Sequence, residues 1–181
     1  MCYPIIAQQF KQFKQIALPP GYKSEVMTIM GLGFELNEQE AQPVLSIRTR
    51  TPYDKLPVVI GDSYRKIAEY LAEMGERPVC APYTAYHNLN MQNLDVEIGF
   101  PVLKPLPGKD EIKQGEVPRG WYVACMYKGP YSQINRVYNE IFKVMKHNGH
   151  EKTGVSYEYY YNSPGKVPES ELLTRIVLPV K

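Results

Sequence analysis

The sequence of 181 residues has no hydrophobic run long enough to cross a membrane. The short apolar stretch at residues 3–7 follows no basic residues and stops at Gln8, so it makes a poor signal peptide. The three cysteines form no CxxC pair, and their spacing from the histidines does not suit a metal site. These absences predict a cytoplasmic protein with reduced thiols, and neither a membrane partner nor a bound metal is expected.

The chain also lacks a strong charge of either sign, since 21 basic and 19 acidic residues leave a net charge of +2. The basic side chains are scattered along the sequence rather than clustered, which argues against direct binding of nucleic acid. There is no nucleophile–His–acid signature and no glycine-rich phosphate loop. No cofactor is therefore expected.

Tyrosine is the residue that the sequence has in excess: it occurs 15 times, and four tyrosines fall within residues 157–161. The aromatic content predicts a strand here, and the turn residues at 162–165 end it. Because side chains alternate along a strand, Glu158 and Tyr160 share one face, and the other three tyrosines share the opposite face. A carboxylate among aromatic rings is costly to bury without a purpose or a partner, so Glu158 is the residue to explain.

Hydrophobic periodicity predicts two successive copies of the order strand, helix, strand, strand. The first copy has a strand at 44–50, a helix from about 57 to 74 that ends at Gly75, and strands at 83–88 and 94–102. The second copy has a strand at 120–127, a helix around 134–145 that ends at Gly149, and strands at 157–162 and 172–180. Residues 105–118, between the copies, are rich in Pro, Gly and Lys and are predicted to be a solvated linker or surface loop.

The two copies match in register, which indicates a duplication. In the helix and the strand after it the offset is 74 residues; the pairs include Tyr64 and Tyr138, Tyr86 and Tyr160, and Asn88 and Asn162. In the flanking segments the offset is 78 residues, as in Tyr53 and Tyr131, and in Ile98 and Ile176. The change of offset predicts a shorter turn before the second helix and a longer last hairpin loop.

The predicted fold is α+β, in which two tandem strand-helix-strand-strand modules form one antiparallel sheet around a pseudo-two-fold axis. Both helices are expected on one face of the sheet, and the other face is expected to curve into a ligand groove. The repeats, at about 44–102 and 120–181, lie within a domain that spans 34–181. Residues 1–33 are predicted to be an extension that packs on or near the domain, with a short amphipathic turn near 10–16; tethering to a partner is the alternative.

Several motifs stand out: the turn Gly129-Pro130-Tyr131, the strand Tyr157-Glu158-Tyr159-Tyr160, and the closing strands at 95–102 and 174–180. Together they resemble the GyrI-like small-molecule-binding domain, which is the effector-binding domain of AraC- and MerR-type multidrug regulators. The resemblance extends from about Phe34 to the C-terminus, and the family fold it implies agrees with the tandem modules. The family often has Trp before the glutamate, where this chain has Tyr157.

The resemblance implies a stand-alone protein that binds lipophilic, often cationic small molecules, with an acidic residue at the position of Glu158. Two alternatives stay open. One is a hydrolase that opens strained, cyclopropane-bearing genotoxins, with Glu158 as the catalytic residue that orients or deprotonates water. The other is a protein-interaction module of the gyrase-inhibitor type, with gyrase as its partner.

The candidate ligand-binding residues follow from the repeat and the resemblance together. Glu158 is expected to neutralise a bound cation, and Tyr160 and Tyr86 to hold it by stacking and cation–π contact. Thr84 is the repeat counterpart of Glu158, so the site is expected to be asymmetric. The remaining candidates are Trp121, as a groove wall, and Glu97, as a second acidic group. The competing interpretation is that Glu158 forms an ordinary ion pair on a solvated face and that the tyrosines only pack.

Overall fold

The computed structural model describes residues 25–29 and 32–181, and the turn expected near residues 10–16 lies outside them. The described residues form nine strands in one antiparallel sheet. The strands are β1 (Glu25–Ile29), β2 (Leu32–Gln39), β3 (Gln42–Thr51), β4 (Tyr83–Tyr86), β5 (Leu94–Pro101), β6 (Lys113–Val117), β7 (Gly120–Lys128), β8 (Ser156–Tyr160) and β9 (Leu173–Val180). The helices are α1 (Leu56–Glu73) and α2 (Ile134–His147).

Both helices form where the sequence places apolar residues at helical spacing. In α1 the side chains of Leu56, Ile67 and Leu71 are buried, and α2 buries an apolar face of the same kind. Each helix is followed by a glycine in the left-handed conformation, with φ of 69° at Gly75 and 73° at Gly149, so the predicted helix ends are confirmed. Neither helix of the described residues is long and apolar enough to cross a membrane.

The strand order is β1-β2-β7-β9-β8-β4-β5-β3-β6, so the two repeats meet where β8 pairs with β4. Two short links join strands from opposite ends of this order. Glu40 and Ala41 lead from β2 to β3, and Pro118 and Arg119 lead from β6 to β7. A two-residue link spans at most about 11 Å between the flanking Cα atoms, so the two ends of the sheet lie close together. The sheet is therefore curled into an incomplete barrel.

The concave face of this sheet carries no helix of the described residues and is filled by its own side chains. One buried cluster on this face takes residues from both ends of the curl, including Val44 and Val117 from one end and Tyr122 from the other. The convex face carries both helices, which pack on separate clusters. The predicted α+β fold, with both helices on one face of an antiparallel sheet, is confirmed.

The pairing of β4 with β8 locates the pseudo-two-fold axis. Thr84 lies directly opposite Glu158 in this pairing, and the two residues are also equivalents in the repeat. A residue faces its own equivalent only where the axis passes between them. The axis therefore runs between Thr84 and Glu158, and the predicted edge-to-edge pairing of the two copies is confirmed.

Three strands of the sheet, β1, β2 and β6, lie where the sequence predicted none. β6 lies within the 105–118 segment that was predicted to be a linker or loop, and it pairs with β3 at the edge of the sheet. Four of its five residues are exposed, so the sequence has no apolar alternation that would indicate a strand. At the other end, β2 pairs with β7, and β1 pairs with β2. The two repeats thus form the centre of the sheet, and these added strands extend its edges.

Candidate functional site

The central strands β4 and β8 lie between the two helices on the convex face, and we call this part of the surface the groove. α1 packs mainly on β3 and β5, and α2 packs on β7, so neither helix covers the middle of the convex face. Tyr138 of α2 contacts Glu158 of β8, and Tyr86 of β4 packs against the cluster beneath α1. Thr84 and Tyr86 are two residues apart on β4, and Glu158 and Tyr160 are two residues apart on β8. Residues at this spacing share a face of the strand, so all four side chains face this groove.

The position of this groove corrects the expected position of Glu158. From the sequence, Glu158 is expected in a groove on the face away from the helices. That face is concave, and Tyr83, Tyr157 and Tyr159 fill it. Glu158 points to the opposite side from Tyr157 and Tyr159, as the alternation predicted, and this side carries the helices. Alternation shows which side chains share a face, but both faces of β8 are apolar, so it does not show which face the helices cover.

Glu158 is 7% exposed and accepts a hydrogen bond at each carboxylate oxygen. Tyr138 Oη donates to Oε1 at 2.7 Å, and Tyr160 Oη donates to Oε2 at 2.8 Å. Tyr86 Oη lies 3.1 Å from Tyr160 Oη. Because Tyr160 has a single hydroxyl proton and gives it to Glu158, Tyr86 is the donor in this second contact. A chain of hydrogen bonds therefore runs from Tyr86 through Tyr160 to Glu158.

The carboxylate of Glu158 has neutral donors around it and no cation of the described chain in an ion pair with it. The ordinary ion pair considered from the sequence is therefore not found. Burial raises the pKa of Glu158, and the hydrogen bonds from Tyr138 and Tyr160 oppose only part of this rise. Burial, and after it the charge of Glu158, raises the pKa of Tyr86 and of Tyr138 well above the usual range. The surroundings of Glu158 thus disfavour its charged form.

The walls of the groove are tyrosines that the repeat relates to one another. Tyr131, in the turn before α2, meets the ring of Tyr160 edge to face, with the ring centroids 5.7 Å apart. Burial, with a further contribution from the Glu158 charge, raises the pKa of Tyr131 to about 12. We call the tyrosines around Glu158 the tyrosine cage; its members are Tyr64, Tyr86, Tyr131, Tyr138 and Tyr160.

The two sides of the groove differ in chemistry. On the first-repeat side, Thr84 is 0% exposed, and its Oγ1 and the Oη of Tyr64 are buried without a hydrogen-bond partner among the described residues. Burial raises the pKa of Tyr64, and the nearby Thr84 hydroxyl opposes part of this rise, although the two oxygens do not meet hydrogen-bond geometry. The groove thus has a charged end at Glu158 and an uncharged polar end at Thr84.

Four of the predicted site residues, Glu158, Tyr160, Tyr86 and Thr84, are brought together, and the other two lie elsewhere. Trp121 is 40% exposed. Cys125 of β7 lies in the same cross-strand row as Glu158, and Trp121 is four residues, or about 13 Å, away from Cys125 along β7. Glu97 lies on the concave side, where it accepts a hydrogen bond of 2.6 Å from Tyr83. In the described part of the chain, no group of three or more His, Cys, Asp or Glu side chains could hold a metal ion.

Three members of the tyrosine cage were not predicted as site residues: Tyr64, Tyr131 and Tyr138. The signal for them was present in the repeat, because each belongs to a matched pair of tyrosines at equivalent positions. A tyrosine on the apolar face of a helix is otherwise indistinguishable from a packing residue. Only the position of the helices beside the central strands shows that these rings surround the carboxylate.

Comparison with known families identifies the domain. The model of the GyrI-like small molecule binding domain matches residues 34–181, which is most of the chain. The chain belongs to the GyrI-like family and carries its small-molecule-binding domain. No curated protein matches the sequence significantly.

Solved structures of low sequence identity share the fold. The EcmrR C-terminal domain has a TM-score of 0.67 at 24% identity, and the match covers 84% of this chain and 99% of that domain. In the EcmrR–DNA complex the TM-score is 0.73 at 23% identity, and the chain spans only 59% of the length of EcmrR. A hydrolase from Listeria innocua has a TM-score of 0.61 at 17% identity over 82% of this chain and 91% of that one. SAV2435 bound to tetraphenylphosphonium has a TM-score of 0.53 at 9% identity, and the match covers 82% of this chain and 93% of SAV2435.

Proposed function

We propose that this protein binds lipophilic aromatic cations in the groove between α1 and α2, with Glu158 as the counter-ion. The observation that carries this proposal is the buried carboxylate of Glu158, which accepts two hydrogen bonds but forms no ion pair within the described part of the chain. Keeping a carboxylate ionised in an apolar site costs free energy, and a cation placed next to it offsets part of that cost. The site therefore favours ligands that carry a positive charge.

The tyrosine cage supplies the apolar part of the binding energy. An aromatic ring attracts a cation over its face, which contributes about 0.5–2 kcal/mol for each contact. The rings also offer apolar surface to the lipophilic groups of a ligand. Tyr138 and Tyr160 cover the carboxylate, so a ligand must displace at least one of their hydroxyls to reach Glu158. A cation compensates for that lost hydrogen bond, and a neutral molecule of the same shape does not.

Two proteins of the same fold support this ligand class and its use. SAV2435 was solved with tetraphenylphosphonium, which is a lipophilic cation. EcmrR was solved in complex with DNA, and the matched part of EcmrR includes its C-terminal domain. We infer that the chain acts in sensing or sequestration of such compounds, through a ligand domain that does not itself contact DNA.

The test is calorimetric titration of tetraphenylphosphonium into the wild-type protein, Glu158→Gln and Glu97→Gln. Glutamine keeps the size of the side chain and removes its charge, so Glu158→Gln is expected to bind about 30-fold more weakly, which corresponds to ~2 kcal/mol. Glu97→Gln is the matched control, because Glu97 is also hydrogen-bonded to a tyrosine but lies on the concave side of the sheet. It is expected to bind as the wild type does. Equal affinity of the wild type and Glu158→Gln would refute the proposal.

The second candidate function is hydrolysis of strained, cyclopropane-bearing genotoxins, and one observation favours it. The raised pKa of the Glu158 carboxyl brings it closer to the pKa of an effective general base at neutral pH. In the reaction a water oxygen bonds to a ring carbon, the strained carbon–carbon bond breaks, and Glu158 accepts a proton from the water. The electron pair of the broken bond goes to the conjugated carbonyl group of the substrate.

The hydrolase candidate is tested with a cyclopropane-bearing pyrroloindole as substrate. The wild-type protein is expected to give the ring-opened product with turnover, and Glu158→Gln is expected to give none beyond the uncatalysed rate. Product analysis by chromatography and mass spectrometry measures both. Turnover that survives in Glu158→Gln, or a wild-type rate equal to that of buffer, would rule this activity out.

A further inference from the structure

The first-repeat side of the groove carries a pair of buried hydroxyls that the cation-binding proposal does not use. Thr84 Oγ1 and Tyr64 Oη each have no hydrogen-bond partner among the described residues, although both are shielded from solvent. An unpaired buried hydroxyl is unfavourable, and native proteins rarely keep two of them side by side. The pair is therefore an unexplained feature of the groove.

The repeat shows what these two positions do in the other half of the protein. Tyr64 is the equivalent of Tyr138, and Thr84 is the equivalent of Glu158. In the second repeat this pair of positions forms a hydrogen bond of 2.7 Å to a carboxylate oxygen. In the first repeat a threonine replaces the carboxylate, and the tyrosine hydroxyl has no acceptor. The first-repeat side thus retains the donor of the second-repeat side without its acceptor.

We propose that Tyr64 and Thr84 form a hydrogen-bonding subsite, so that the preferred ligand is an aromatic cation that also carries a hydroxyl or carbonyl oxygen. Two hydroxyls hold two protons, and a hydrogen bond between them would use only one, so at least one donor remains for a ligand oxygen. This inference rests on the proposed function, because Glu158 fixes the charged end of the same ligand.

The pairing of β4 with β8 sets the spacing between the two groups of the ligand. Thr84 and Glu158 are directly opposite each other across β4 and β8. Side chains in such positions have Cβ atoms about 5 Å apart. Tyr64 packs against the same apolar cluster as Tyr86, whose hydroxyl lies 3.1 Å from that of Tyr160. The oxygen and the positive charge of the ligand are therefore separated by about the width of one aromatic ring.

The experiment compares two ligands that differ by one hydroxyl, phenyltrimethylammonium and 3-hydroxyphenyltrimethylammonium, by calorimetric titration. The ring of the second compound separates its oxygen from its nitrogen by a distance comparable to the spacing of the subsite. The wild-type protein is expected to bind the hydroxylated compound about five- to tenfold more tightly, which is the effect of one neutral hydrogen bond.

Thr84→Val and Tyr64→Phe each remove one hydroxyl and keep the shape of the side chain. Each variant is expected to reduce or abolish the preference for the hydroxylated compound, measured as the ratio of the affinities of the two compounds within that variant. Thr174→Val is the matched control, since Thr174 is also a fully buried threonine with an unpartnered hydroxyl but lies beside Tyr160, on the other side of the axis. It is expected to keep the preference. If Thr84→Val fails to fold, the Tyr64→Phe variant carries the test.

The possible results separate the subsite from the proposed function. Equal binding of the two compounds by the wild type, or an unchanged preference in both variants, would overturn the subsite alone. If neither compound binds to the wild-type protein, the subsite and the cation site are both overturned. If the parent compound binds equally to the wild type and to Glu158→Gln, the proposed function fails, and the subsite fails with it.

Discussion

At the scale of single residues, the groove depends on one difference between two equivalent positions. The pseudo-two-fold axis passes between Thr84 and Glu158, so the repeat alone would give the two sides of the groove the same chemistry. A carboxylate on one side and a hydroxyl on the other make the two sides of the groove chemically different. The hydrogen bonds from Tyr138 and Tyr160 hold that carboxylate in place without neutralising it. The proposed binding of an asymmetric cation uses this combination.

The raised pKa of Glu158 predicts how stability depends on pH. At pH values between the ordinary glutamate pKa of about 4.3 and the raised pKa of Glu158, the folded protein holds a proton that the unfolded chain has lost. The wild-type free energy of unfolding therefore falls as the pH rises through this window. Glu158→Gln has no such proton, so its stability relative to the wild type is expected to increase as the pH rises.

Denaturant unfolding of both proteins at several values between about pH 4 and pH 8 measures this difference. The unfolding free energy of Glu158→Gln minus that of the wild type should be lowest at the acid end. It should rise with pH and level off once Glu158 is ionised in the folded protein. A difference that stays constant over the whole range would show that Glu158 titrates as it does in the unfolded chain.

At the scale of elements, the two hairpins that follow the helices are closed by equivalent asparagines. Asn88 Nδ2 donates to Asn93 O at 3.1 Å, and its Oδ1 accepts from Asp95 N at 3.1 Å. Asn162 Nδ2 donates to Glu171 O at 2.8 Å, and its Oδ1 accepts from the backbone of the following strand at 2.8 Å. The second loop is four residues longer, yet the same two bonds close it. The predicted longer loop and the shared asparagine are both confirmed. The predicted shorter turn before the second helix is wrong, because the helix itself is shorter in the second repeat: α2 has 14 residues and α1 has 18.

Asn162→Ala is expected to destabilise the protein by about 1–2 kcal/mol, because it removes two hydrogen bonds that close the longer loop and fix the start of β9. The midpoint of urea unfolding measures the change. Asn135→Ala, at an exposed position on α2, is the control and should leave the midpoint nearly unchanged. Two equal midpoints for Asn162→Ala and the wild type would mean that the loop closes without its asparagine.

The sequence predicted most of these elements, and the exceptions have physical causes. Alternation and helical spacing were clear wherever an element had one buried face, as in α1 and α2. β6 was missed because an exposed edge strand needs no apolar residues. The helix-bearing face was misassigned because β8 is buried on both sides, by the tyrosine cage on one and by the concave cluster on the other. Cage tyrosines on α1 and α2 could not be assigned to the site until that face was known.

At the scale of the whole molecule, the two repeats are related by a pseudo-two-fold axis, and the single carboxylate of Glu158 breaks this symmetry. The sheet order shows the two repeats meeting at β8 and β4, with one helix on each side of the groove. Tyr64 and Tyr138 occupy equivalent places on the two helices, and Tyr86 and Tyr160 occupy equivalent places on β4 and β8. The cage is therefore nearly symmetric, while the charge within it is not.

This symmetry predicts that the charge can be moved across the axis. Glu158→Thr alone is expected to lose the binding of tetraphenylphosphonium, because the groove then has no counter-ion. Combining it with Thr84→Glu is expected to restore much of the affinity, since Tyr64 and Tyr86 can donate to the moved carboxylate as their equivalents do. Calorimetric titration of the two variants decides the matter. Failure of the folded double variant to bind more tightly than Glu158→Thr would show that the two sides of the cage are not interchangeable.

The most direct test of the central claim is the titration of the Glu158 carboxyl itself. Carbon-13 NMR of glutamate side chains, with Glu158→Gln to assign the signal, gives its pKa in the free protein and in the presence of tetraphenylphosphonium. We predict a pKa above the ordinary glutamate value in the free protein, because burial disfavours the charge. We predict a lower pKa in the complex, because the cation stabilises the carboxylate. An ordinary pKa in the free protein that does not change on saturation with the ligand would contradict the account.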